Sequence, residues 1–299
     1  MNTTASFREH RWRSADGLEL YCRVYDAAGA GAPAVLCLPG LTRNSRDFED
    51  FAPHLAPRYR VLCPDLRGRG LSARDPKWQN YQPATYVADL TALLQGLGLP
   101  RVAIVGTSLG GLLAMILASV APQAVAGIVL NDIGPEIDPA GAERIRGYAG
   151  KLPPVRTWDE AIAQQRLVFG GAWPDLDDAL WARLARRNYR DDSSGAPVLD
   201  ADPGIGEALR AAAAQPPVDL WPLYAALKST PALAVRGALS DILSAATFER
   251  MAREKPDLER LTVAGRGHVP LLDEPECLAA IDAFLARLAY RAPAAAPAA

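Results

Sequence analysis

The stretch Val105-Gly106-Thr107-Ser108-Leu109-Gly110-Gly111 decides the reading of this chain. The residues before it, 101–105, are a short apolar run rich in β-branched side chains, as expected of a buried strand. The residues after it, 109–121, read as an apolar helix. A G-x-S-x-G sequence in a strand–turn–helix setting places its serine on a sharp elbow at a helix N-terminus. Glycines are needed there because strand and helix backbones pass close together. The helix N-terminus favours a developing negative charge beside the serine. The bland alternative is a tight turn with an incidental serine.

The surrounding pattern supports the elbow. Apolar runs at 34–38, 59–63, 125–130, 232–235 and 258–263 lack clean alternation, which suits strands buried on both faces of a parallel sheet. Between them, 47–55, 85–96, 246–254 and 275–289 read as helices. Residues 7–13 and 18–25 flank Asp16-Gly17 and read as a leading hairpin. Strand, helix, strand in this rhythm predicts an α/β protein, a mostly parallel doubly wound sheet with helices on both faces.

One region breaks the rhythm. From Gly134 to about Lys228 no convincing buried strand is found. Helical patterns at 140–148, 157–169, 176–189, 205–214 and 220–227 are punctuated by Pro153-Pro154, Gly170-Gly171 and Pro216-Pro217. Such a length is too great for a plain connection and predicts a helical cap inserted in the core. The expected divisions are core at 1–134, cap at 135–228, core again at 229–290, and a disordered Ala/Pro-rich tail at 291–299.

The bulk composition excludes several classes. With 299 residues, 49% hydrophobic, 22% charged and a net charge of −2, the chain is ordinary globular material with no electrostatic draw to nucleic acid. The N-terminal segment lacks the apolar core of a secretory signal, and the longest apolar run, 110–121, is too short to span a bilayer. A cytoplasmic location is expected, with no membrane partner. The four cysteines (Cys22, Cys37, Cys63 and Cys277) form no C-x-x-C pair and read as buried free thiols. No ligand cluster at zinc spacing appears, and no metal is expected. Gly68-Arg69-Gly70-Leu71-Ser72-Ala73 fits the dinucleotide fingerprint in letters, but Pro76 falls where its helix must run. No cofactor is implied.

A serine hydroxyl needs a neighbour to take its proton. The chain holds three histidines. His10 lies in the leading hairpin and His54 in the first helix, whereas His268 follows the last strand-like run in Gly265-Arg266-Gly267-His268. Ligands of open α/β sheets sit at that strand edge, so His268 is the expected base. Asp241, in Gly237-Ala238-Leu239-Ser240-Asp241, is the expected acid that orients the imidazole, with Asp132 after the 125–130 run as its competitor. The backbone N–H groups of Leu109 and Leu41 are the expected oxyanion donors. Trp221 and Tyr224 are expected to line the substrate pocket beneath the cap.

Together, Leu38-Pro39-Gly40-Leu41, the run Asp65-Leu66-Arg67-Gly68-Arg69-Gly70-Leu71-Ser72, the elbow, Asp241 and His268 resemble the α/β-hydrolase superfamily, particularly its capped carboxylesterases and enol-lactonases. The resemblance covers about residues 18–134 and 229–288. One departure is Pro39, where these enzymes often carry His before the glycine, so the hydrogen bonding of that loop must differ. The resemblance implies hydrolysis of a small carboxylic ester or lactone through an acyl-enzyme on Ser108. It leaves open carbon–carbon bond hydrolysis of a diketone-like substrate and a non-catalytic ligand receptor on the same fold. The expected partner is a small-molecule substrate, and the sequence leaves a homo-oligomer open.

Overall fold

The structure is a computed structural model that describes residues 6–290. The predicted tail at 291–299 lies outside the described residues. Ten strands are present among them: β1 (Arg8–Arg13), β2 (Glu19–Tyr25), β3 (Ala34–Leu38), β4 (Arg60–Asp65), β5 (Val102–Thr107), β6 (Val125–Asn131), β7 (Tyr189–Asp191), β8 (Pro197–Leu199), β9 (Ala232–Gly237) and β10 (Glu259–Val263). Eight of them form one sheet in the order β1-β2-β4-β3-β5-β6-β9-β10. The pairs β1–β2 and β2–β4 are antiparallel, and the pairs from β4 through β3, β5, β6, β9 and β10 are parallel.

The apolar runs explain the two-sided core. In β5, Val102 and Ile104 enter one cluster, while Ala103 and Val105 enter the other. The period of two sends alternate side chains to opposite faces, and both faces are covered. Helices α1 (Phe51–Leu55) and α10 (Pro275–Ala286) cover one face through Phe51, Leu55, Ile281 and Phe284. Helices α2 (Pro83–Gly96), α3 (Leu109–Val120) and α9 (Ala245–Glu254) cover the other through Leu90, Leu113, Met115 and Met251. All four cysteines are free and buried.

Between β6 and β9 lie α4 (Pro139–Tyr148), α5 (Trp158–Phe169), α6 (Asp178–Asn188), α7 (Gly204–Ala213) and α8 (Trp221–Ala225). Ala172, Trp173, Trp181 and Leu184 give this segment a small core of its own. The sequence predicts helix alone here, yet β7 and β8 pair antiparallel as a hairpin. The Asp192 carboxylate accepts from the N–H groups of Ser194 and Ala196, and Gly195 adopts φ +84°. That turn closes the hairpin, and Tyr189 leaves α6 in extended backbone, φ −116° and ψ 160°. No described helix is long and apolar enough to cross a membrane.

Candidate active site

Parallel strands bring their C-terminal ends to one edge, and the candidate residues meet there. β5 delivers Ser108 at φ 51°, a left-handed conformation that costs energy in a non-glycine residue. Close packing around the turn holds it. A Cβ on Gly106 would lie 2.4 Å from the Gly110 carbonyl oxygen, and one on Gly110 would lie 2.2 Å from that of Leu38. Any side chain at either position would push helix and strand apart. The Ser108 N–H donates to the Asn131 carbonyl of the neighbouring strand at 3.0 Å.

His268 follows β10 and is nearly buried. Its Nε2 accepts from the Ser108 hydroxyl at 2.9 Å, and its Nδ1 donates to Asp132 Oδ2 at 2.8 Å, with the tautomer assigned from this network. The segment between β6 and β9 braces the histidine loop from above. Trp173 Nε1 donates to the Val269 carbonyl at 2.7 Å, and the Gly267 N–H donates to the Ala172 carbonyl at 2.7 Å. His54 sits far off in sequence and contact, beside Asp282 at 2.9 Å.

The structure corrects the choice of acid. Asp132, not Asp241, meets the ring. β6 is the direct neighbour of β5, with Asn131 opposite Thr107, so the next residue emerges beside Ser108. Asp132 turns inward at φ 55° and is fully buried. Its carboxylate also accepts from the Gly237 N–H at 2.8 Å and the Ser240 hydroxyl at 2.5 Å. Asp241 is instead paired with Arg144 of α4, which donates to it through Nε at 2.5 Å and Nη2 at 2.8 Å. Burial pushes the Asp241 carboxyl up, but the hydrogen bond and charge of Arg144 outweigh it and hold the group below its ordinary value.

The loop after β3 carries the second expected oxyanion donor. Leu41 lines the same cavity as Ser108 and His268. Its carbonyl accepts from Arg69 Nε at 2.9 Å and Nη2 at 2.7 Å, while the Gly40 carbonyl accepts from the Arg43 N–H at 3.2 Å. Both carbonyls are thereby occupied, which fixes the peptide planes. The Leu109 N–H belongs to the first turn of α3, where no helical acceptor exists.

The run 65–72 is the clamp for that loop. Arg69 is fully buried, lies over Tyr86 and also donates to the Arg67 carbonyl. Arg67 binds Asp16, Asp75 and Asp89 at 2.6–3.0 Å. Burial pushes the Asp65 carboxyl up to about 6, against the N–H groups of Ser45 and Leu71 that it accepts at 2.7 and 2.8 Å. The letters that mimic a dinucleotide fingerprint are thus occupied in holding the sheet edge together.

A narrow cavity of about 70 Å³ opens over Ser108, walled above by Ile145, Tyr148, Phe169, Trp173 and Leu184. The expected Trp221 and Tyr224 are not among its walls, which is a second correction. Tyr224 is fully buried in the core with its hydroxyl on the Met251 carbonyl at 3.0 Å, and Trp221 stacks beneath Arg250. Both sit where the segment returns to the sheet, on the helix-covered face rather than at the strand edge. Phe169 and Trp173, large apolar residues in the middle of the segment, were the sequence signal for the wall that is found.

The fold and this edge define a hydrolase-type α/β protein. The family described as alpha/beta hydrolase fold matches residues 33–275, and the chain belongs to it. It is similar to the 3-hydroxybutyrate-oligomer hydrolase of Cupriavidus necator, 32% identical over 85% of this chain and 89% of that one. It is also similar to the 2-(acetamidomethylene)succinate hydrolase of Mesorhizobium japonicum, 29% identical over 86% of this chain and 89% of that one. Among solved structures, an alpha/beta hydrolase from Novosphingobium aromaticivorans DSM 12444 superposes with a TM-score of 0.89 at 48% identity, covering 95% of this chain and 99% of that one. Hydrolase chemistry is what this kinship supports.

Proposed function

We propose that the protein is a serine hydrolase that cleaves a small carboxylic ester or lactone through an acyl-enzyme on Ser108. The observation that carries this reading is the unbroken chain Ser108 Oγ, His268, Asp132 on the floor of a narrow, mostly apolar-walled cavity. Ser108 attacks the carbonyl carbon as His268 Nε2 takes its proton. The negative charge that develops on the carbonyl oxygen rests on the N–H groups of Leu41 and Leu109. Asp132 holds the ring in the tautomer that accepts at Nε2 and stabilises the imidazolium. His268 then gives its proton to the departing alkoxide, the carbon–oxygen bond breaks, and the acyl group stays on Ser108. Water attacks the acyl-enzyme with His268 again as base, and the acid leaves. The proton, nucleophile and leaving group are accounted for without a further reagent.

Ester chemistry is favoured because a relative matching most of the chain is named for hydrolysing 3-hydroxybutyrate oligomers, whose units are joined as esters. The test is a panel of aryl esters, lactones and vinylogous diketones with wild type and Ser108→Ala. Ester or lactone turnover should fall by on the order of 10⁶ in the variant, because nucleophile and base act as a unit. Turnover of diketones alone would move the reading to carbon–carbon hydrolysis. Turnover of none would favour a receptor.

A further inference from the structure

Arg43 lies three residues past Gly40, on the loop that carries Leu41. Its side chain crosses the cavity wall: a Cβ on Gly40 would sit 3.4 Å from Arg43 Cγ and 3.9 Å from Ser108 Cβ. The stem of Arg43 thus starts beside the nucleophile, and both residues line the same cavity. It is held firmly. Nε donates to Asp47 at 2.9 and 3.1 Å, Nη2 donates to Asp47 at 2.5 Å, and the ring of Phe169 lies 5.9 Å away. Only 11% of the side chain is exposed.

One edge of this guanidinium is unused. Arg43 Nη1 is buried and has no hydrogen-bond partner among the described residues. A buried, charged donor left unpaired is costly, and folds normally satisfy it. The charge around the cavity has the same sign. Its ionised lining residues are Arg43, Arg187 and Asp47, two positive against one negative. Arg187 binds Asp50 and turns its own unpaired Nε toward Glu49 at 3.6 Å, whereas Arg43 Nη1 has no carboxylate beside it among the described residues.

We propose that Arg43 binds a carboxylate of the substrate, so that the preferred ester carries a free anionic carboxylate a short distance from its scissile carbonyl. This rests on the reading of Ser108 as acyl acceptor. Asp47 occupies the Nε–Nη2 edge and fixes the plane, leaving Nη1 to make a charge-assisted hydrogen bond to the ligand. An uncharged ester of the same size leaves Nη1 unpaired, and a site built to satisfy a polar group rejects analogues that lack it. Arg43 and Ser108 line one cavity, so a short spacer joins the carboxylate to the scissile carbonyl.

The test compares an aryl monoester of glutarate with the aryl ester of its methyl-capped neutral counterpart. Wild type should favour the anionic ester by about ten-fold or more in kcat/KM. Arg43→Gln should erase that ratio, chiefly through KM, and Arg43→Lys should restore part of it. An unchanged ratio in Arg43→Gln would overturn the proposal while leaving the hydrolase reading intact. A second measurement needs no variant: butyrate should protect Ser108 from an organophosphonate in wild type, and butyramide at equal concentration should not. Equal protection by both, or by neither, would also overturn it. Failure of Ser108 to react with phosphonate or with either ester would instead remove the hydrolase reading on which the inference stands.

Discussion

Two aspartates stand at the same edge of the sheet, one after β6 and one after β9, and they do opposite things. Asp132 is fully buried, turned inward, and accepts from His268, Ser240 and Gly237. Asp241 is 37% exposed and grips Arg144 of α4, beside which α4 presents Ile145 and Tyr148 to the cavity. Ser240, next to Asp241, gives its hydroxyl to Asp132, so the β9 loop supports the carboxylate on His268 without supplying it. The difference teaches that a strand end confers position, while the donors around a carboxylate decide its role. Asp132 holds the His268 ring, and Asp241 latches the helical layer to the sheet edge.

The sharpest way to break this comparison is to swap the amide for each acid. Asp132→Asn should lower ester turnover by about 10⁴, because the amide favours the wrong imidazole tautomer. Steady-state kinetics would read it directly, and a loss smaller than that of Asp241→Asn would reverse the assignment. Ser240→Ala comes next. It removes one donor from a fully buried carboxylate, a hydrogen bond to a charged group worth about 1.5–3 kcal/mol, and should slow turnover on the order of ten-fold. Asp241→Asn should change turnover by less than about ten-fold. Its effect should appear instead in the preference among ester chain lengths, since Ile145 and Tyr148 ride on the helix it holds.

The smallest effect is in pH. Arg144 holds the Asp241 carboxyl below its ordinary value, so the latch contributes stability above the unfolded carboxylate pKa of about 4 and loses it as pH falls through the lower folded value. A pair this exposed is worth about 1 kcal/mol or less. Thermal midpoints of wild type and Asp241→Asn should therefore differ slightly at neutral pH and converge in acid. A gap that widens in acid would mean that Asp241 is held by something other than Arg144.

Much of the architecture was legible because parallel strands buried on both faces leave long apolar runs with turn residues between them. The runs at 34–38, 125–130 and 232–235 fall on β3, β6 and β9. Ser108 and His268 could be placed from a motif and a short list of histidines. The acid could not, because two aspartates follow two neighbouring strands and the sequence does not show which carboxylate turns inward. The residue type itself is a faint signal, since Asp tolerates the left-handed backbone found at 132 better than most residues. The pocket walls were harder still. Phe169 and Trp173 come from the end of α5 and the turn after it, which tertiary packing alone brings over Ser108. The β7–β8 hairpin was hidden for a similar reason, each strand being only three residues long.

The most direct test of the account is covalent. Treated with a small organophosphonate and mapped by intact-mass and peptide mass spectrometry, the wild-type protein should gain one adduct, on Ser108. Asp132→Asn should react far more slowly at the same serine, and Asp241→Asn at close to the wild-type rate. An adduct on any other residue, or no difference between the two aspartate variants, would contradict the arrangement of Ser108, His268 and Asp132 as the reacting chain.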